Sequence, residues 1–287
     1  MSFEDDVNAW VAQARKLYDE REVVPAEQLF DKALRYMPYH EDALLGWGLL
    51  YAATGRGPLA LQKIQQIQKD NPDQPGPYRA IGTLLRVSGR FLIAENYFSQ
   101  LLPVVSQEVK PYLILGLAEV YACQDKHTEL TELLKGLVEF PTIEILLQAQ
   151  LYFELGQVDE LLRLARLNDE DILAQTILGL AAELRGDMSA AGQHYFAASE
   201  ASEPTWIALN GLAAMWLNAG EMGHCRSYLD DAEKIAPEAP EVVFTRACYY
   251  RIQENKDSSK KLLEQIIATP SAFGRIKRLA QQMLGKR

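Results

Sequence analysis

The chain has 287 residues, 48% of them hydrophobic and 24% charged, and its 29 Lys plus Arg against 39 Asp plus Glu give a formal charge of −10. That length is enough to bury roughly three quarters of the unfolded surface, and the composition excludes wholesale disorder and collagen-like architectures. The negative charge is the wrong sign for gripping a phosphate backbone, so neither nucleic acid nor an anionic membrane is expected as a partner.

The opening MSFEDDVNAW is acidic and has neither the basic start nor the apolar core of a secretory signal, so a cytoplasmic chain is expected. A period of 34 residues then sets in, with units starting near Val7, Glu41, Pro75, Pro111, Thr142, Ile172, Trp206 and Pro240. In the first unit Ala14 and Leu17 mark one helix, Pro25, Ala26 and Phe30 a second, and Pro38 closes it. The second unit repeats this with Gly48, Tyr51, a turn at Gly55, then Pro58, Ala60, Ile64 and Pro72. Its run Ala43 to Gly55 carries no charge, which predicts a buried helix and is too short to cross a bilayer. The third has Gly82, Leu85, Gly89, Ala94 and Phe98.

The fourth and fifth units keep Ala118, Tyr121, Ala149, Tyr152 and Gly156 but place Leu130 and Leu161 where a small residue is expected, with a short second helix before Asn168. A change of curvature is expected there, at 105–112 and 167–172. Asp169, Glu170 and Asp171 read as a helix-capping turn, because residues 168 and 172 onward do not supply the alternating oxygens of a calcium loop. The pattern resumes with Gly179, Gly186, Ala191 and Tyr195, then Ala213, Trp216, Gly220, Cys225, Leu229 and Pro237, then Ala247, Tyr250, Ser259 and Leu263. Residues 272–287 predict one more helix, with Phe273, Ile276, Leu279, Ala280 and Met283 on one stripe and five basic residues elsewhere, which should cap the open end.

Each unit is therefore two antiparallel helices, with the eighth position always Gly or Ala and a bulky residue three positions later in seven of eight units. This pattern resembles the tetratricopeptide repeat over Val7 to about Ser271. The resemblance implies an all-α, right-handed α-solenoid of eight helix pairs, residues 1–271, followed by the basic capping helix, residues 272–287.

Little chemistry is legible. His40, His127, His194 and His224 are isolated in sequence, with no HExxH, and Cys123, Cys225 and Cys248 are widely spaced and contain no CxxC. No catalytic residue, metal site or cofactor is expected, and the cysteines suit a reducing compartment.

What remains is surface. In the resembled family, ligands touch the second, fifth, ninth, twelfth and thirteenth positions of the first helices, which line a concave groove. Here those positions include Leu45 and Leu49, then Arg79, Thr83 and Arg86, then Glu119, then Leu146, Gln150, Phe153 and Glu154. Leu180, Glu183, Asn210, Ala214, Leu217 and Asn218 follow in the sixth and seventh units. The Lys and Asn pattern by which some such repeats hold a chaperone's C-terminal carboxylate is missing. The apolar members would be costly if left exposed, so they suit a bound protein or peptide segment, with Arg79 and Arg86 meeting an acidic flank. The expected function is a non-catalytic adaptor or chaperone-like protein without membrane insertion. The alternative is a scaffold that self-associates, or assembles a complex, through edge repeats or the basic end helix.

Overall fold

A computed structural model of the chain describes residues 3–140, 143–168 and 171–285. The unit start at Thr142, the acids Asp169 and Glu170, and the basic Lys286 and Arg287 lie outside the described residues. Among the described residues there are 17 α-helices, one short 3₁₀ segment and no strand, and no helix is long and apolar enough to cross a membrane. The chain divides into two compact units, residues 1–120 and 121–287.

The first unit holds α1 (Phe3–Asp19), α2 (Val23–Tyr36), α3 (Glu41–Ala53), α4 (Gly57–Asp70), α5 (Pro75–Val87), α6 (Phe91–Leu101) and most of α7 (Lys110–Cys123). The second holds α8 (His127–Leu134), α9 (Ile145–Glu154), α10 (Val158–Arg166), α11 (Asp171–Leu184) and α12 (Met188–Ser199). It continues with α13 (Trp206–Asn218), α14 (Met222–Ile235), α15 (Pro240–Ile252), α16 (Lys256–Ala268) and α17 (Gly274–Met283). Two helices thus fall in every predicted unit, with Pro25 and Pro58 in first turns, where the missing N–H costs nothing. The short helices α8 and α10 belong to the two units in which Leu130 and Leu161 replace the small residue, and both leucines are fully buried.

The turn inside each pair is the same in all eight. The fifteenth position has positive φ throughout, at Arg21, Gly55, Gly89, Asp125, Gly156, Gly186, Gly220 and Glu254. The next N–H then donates back to the carbonyl of the eleventh residue, as Arg56 to Tyr51 (2.7 Å), Gln157 to Tyr152 (2.9 Å) and Asn255 to Tyr250 (2.9 Å). This is the left-handed helix end that satisfies a terminal carbonyl, and glycine enters it without strain. Three of the eight turns hold it with an ordinary residue.

Packing explains the small eighth position. What lies over it is a large side chain from a second helix or from the next first helix, rather than the bulky residue three places on. A methyl group at Gly82 or Gly116 would overlap the ring of Phe98, and one at Gly179 or Gly211 would overlap that of Tyr195. Each ring, on the second helix of a pair, is therefore held between the first helices of its own pair and the next. Phe98 and Tyr195 are each only 1% exposed, and the neighbouring Ala94 and Ala191 are buried beside them.

A closed groove and an open face

In the second unit, α9, α11, α13 and α15 turn residues from the groove positions to a common cavity of about 280 Å³. Gln150 and Phe153 line it from α9, Leu180 and Glu183 from α11, and Asn210, Leu217 and Asn218 from α13. These residues are far apart in sequence, and the pair-to-pair register alone brings them together. Leu180 and Leu217, expected to be exposed, are each 6% exposed. Leu146 is half-buried on α9 and does not line the cavity.

The other wall is α17. Ala272, Ile276 and Ala280 pack on Val243, Ala247, Leu263 and Ile266, so α17 caps the last pair as the sequence predicts. It also turns back across the unit. The Arg275 N–H donates to Glu154 Oε1 (2.7 Å), and its guanidinium lies over the Phe153 ring at 4.1 Å. The Cys123 thiol donates to the Ser271 carbonyl (3.4 Å), and Arg278 bonds Asp125 in the turn after α7. Lys277 donates to the Pro270 carbonyl (2.9 Å). Three of the five basic residues of 272–287 are therefore used inside the unit. Asp125, His127 and Glu154 come within 4.8 Å of one another, but the Arg278 guanidinium, bonded to Asp125 and 3.9 Å from Glu154, already supplies the positive charge there.

Glu241, Phe244 and Cys248 of α15, with Trp206, Phe273 and Arg275, also line the cavity and were not assigned to the groove from sequence. Continuing the same register into the eighth unit would have found the first three. Arg275 has no such signal, because it reaches the cavity by the return of α17.

Three carboxyl groups meet here. Burial raises Glu154, Glu183 and Glu241 above their ordinary 4.5; Arg275 opposes this through its N–H at Glu154 and its charge at the other two, and the Tyr195 hydroxyl, donating at 3.0 Å, opposes it at Glu183. A carboxyl with a raised folded pKa makes the native state hold more protons than the unfolded one, so stability falls as pH rises through that window. Melting of the second unit, followed by circular dichroism, should therefore drop as pH rises from about 4.5 toward neutrality. Glu241→Gln should flatten the slope, and an unchanged slope would contradict this account.

The first unit presents the matching face on α3, α5 and α7. Leu45, Leu49 and Thr83 are half-buried there. Arg79 and Arg86, expected to meet an acidic flank, instead pair with carboxylates of neighbouring first helices. The Arg79 Nε donates to Glu41 (3.0 Å), and Arg86 pairs with Glu119 (3.0 Å), whose two side chains are 15% and 12% exposed. The reason is register: adjacent first helices place the fifth position of one pair against the first of the pair before it, and the twelfth against the ninth of the pair after it.

Two antiparallel helices per unit, a left-handed turn at a fixed position in all eight, and a ring held between the small residues of successive first helices define the repeat. These helix pairs resemble those of the tetratricopeptide repeat. No family model matches the chain, and no curated protein matches it. Among solved structures, a tetratricopeptide repeat protein from Parabacteroides merdae is 14% identical, with 98% of both chains covered and a TM-score of 0.42. Cut9 in the APC/C hetero-tetramer Cut9–Hcn1 is 17% identical over 96% of this chain and 55% of its own, with a TM-score of 0.49. PilF of Pseudomonas aeruginosa is 12% identical over 88% of this chain and 99% of its own, with a TM-score of 0.39. At these identities and scores nothing that those proteins bind transfers to this chain.

Proposed function

We propose that this tetratricopeptide-type chain is a non-catalytic interaction module, and that its first unit holds a segment of a partner protein against the α3–α5–α7 face. One observation carries the reading: in the second unit the same register of positions already receives a helix, α17, with Ile276 turned inward, the Arg275 backbone N–H bonded to Glu154 and the Arg278 guanidinium to Asp125. A surface built from these positions is thus suited to an amphipathic helix. With Arg79 and Arg86 neutralised by Glu41 and Glu119, the partner segment is recognised by apolar side chains set on Leu45 and Leu49, with Thr83 as a polar fixer. An acidic flank is not required.

A further fact supports the non-catalytic part. Burial pushes the Cys225 and Cys248 thiols up to about 11, which keeps them protonated and unreactive at neutral pH.

The test compares wild type with Leu45→Glu/Leu49→Glu after circular dichroism has established equal helicity. A partner identified by cross-linking to α3 or α5 should lose at least tenfold in affinity for the charged variant. Equal affinity for both proteins would refute the face, and self-association persisting in both would favour the scaffold reading instead.

A further inference from the structure

The cavity of the second unit is lined by more carboxyl groups than cationic side chains. Glu154, Glu183 and Glu241 face it, against the single guanidinium of Arg275. Two of the carboxylates have donors, Glu154 the Arg275 N–H at 2.7 Å and Glu183 the Tyr195 hydroxyl at 3.0 Å. Glu241 is half-buried at the cavity, its carboxylate bonds only its own backbone, and Arg275 is its one opposing charge. Asn210 Oδ1 is sealed from solvent and has no hydrogen-bond partner. A buried acceptor without a donor is costly, and its presence in a native fold calls for an explanation such as a ligand or water. The rest of the wall is aromatic, with Phe153, Trp206, Phe244 and Phe273 supplying apolar area and electron-rich faces.

We propose that this cavity binds a small organic cation, a primary or secondary ammonium carried on an apolar body. The volume of about 280 Å³ lies at the low end for ligand pockets and suits a molecule smaller than a drug. An ammonium brings donors and positive charge together, so it satisfies Asn210 Oδ1 and Glu241, while the rings cover its hydrocarbon and stabilise the charge by cation–π contact. An anion would meet three carboxyl groups, and a neutral apolar molecule would leave Asn210 Oδ1 without a donor. The site is separate from the α3–α5–α7 face, and neither proposal depends on the other.

Isothermal titration of the full chain at pH 7.5 with 2-phenylethylamine and with putrescine tests this, using 2-phenylethanol and phenylacetate as neutral and anionic counterparts. At least one amine should bind at least tenfold more tightly than 2-phenylethanol, with phenylacetate weakest. Glu241→Gln should weaken the amine at least tenfold and leave 2-phenylethanol within about twofold. Asn210→Leu, which removes the orphaned acceptor without touching a carboxyl group, gives a second variant with the same expected direction should Glu241→Gln fail to fold. No binding by either amine, no preference over the neutral counterpart, or equal amine affinity in wild type and the folded variants would each overturn the proposal.

Discussion

Tyr195→Ala should lower the stability of the second unit by about 3–5 kcal/mol, read as a fall in the urea midpoint of its unfolding. The ring is 1% exposed and fills the gap between Gly179 and Gly211, so its loss leaves a void lined by two helix backbones that cannot close on it. The mirror experiment is more discriminating. In an exposed helix Gly→Ala stabilises by about 1 kcal/mol, because alanine loses less backbone freedom on folding. At Gly179 the added methyl overlaps the Tyr195 ring, which Gly211 holds from the other side and Glu183 holds by its hydroxyl. Overpacking of that kind costs about 1–3 kcal/mol, so Gly179→Ala should be net destabilising despite its better helix propensity. A Gly179→Ala protein as stable as wild type would mean that the ring has room to move and that the wedge does not set the spacing of the pairs.

Ile276→Asp should cost about 3–4 kcal/mol, because it places an unpaired carboxylate among Val243, Ala247, Leu263 and Ile266, at a position that is 7% exposed. Hydrogen exchange along 274–283 should accelerate, and dye binding should report the uncovered apolar surface of α15 and α16. Leu279→Asp provides the contrast, since Leu279 is 36% exposed and can turn a carboxylate to water, and its cost should stay within about 1 kcal/mol. Equal losses for the two variants would show that α17 is held by the polar contacts of Arg275 and Arg278 rather than by its apolar stripe.

The helix pairs were legible in the sequence because their determinants are local. Gly or Ala at the eighth position, the glycine turns and the small residue of the second helix recur at fixed spacing, and the register that places Gln150, Phe153, Asn210 and Leu217 on one wall follows from it. Three turns were less visible, because Arg21, Asp125 and Glu254 adopt a conformation that glycine usually signals. The pairing of Arg79 with Glu41 and of Arg86 with Glu119 was missed because it depends on which positions of neighbouring helices face each other, a relation that a single-helix pattern does not contain. The closing of the cavity was missed for a similar reason. An amphipathic stripe on 272–287 predicts that a face is covered, and both an end cap and a returning wall satisfy that requirement.

The contacts that return α17 to the start of its unit also bear on when the unit can form. Most helix pairs are closed by residues a few tens of positions apart, so they can assemble as they leave the ribosome. Arg278 and Asp125 are separated by 153 positions, Cys123 and Ser271 by 148, and Arg275 and Glu154 by 121. Long-range closures of this kind slow folding, because the loop entropy is lost before the contact forms. The first unit can therefore mature during translation, whereas the second stays an open array, its cavity wall missing, until the ribosome has released α17.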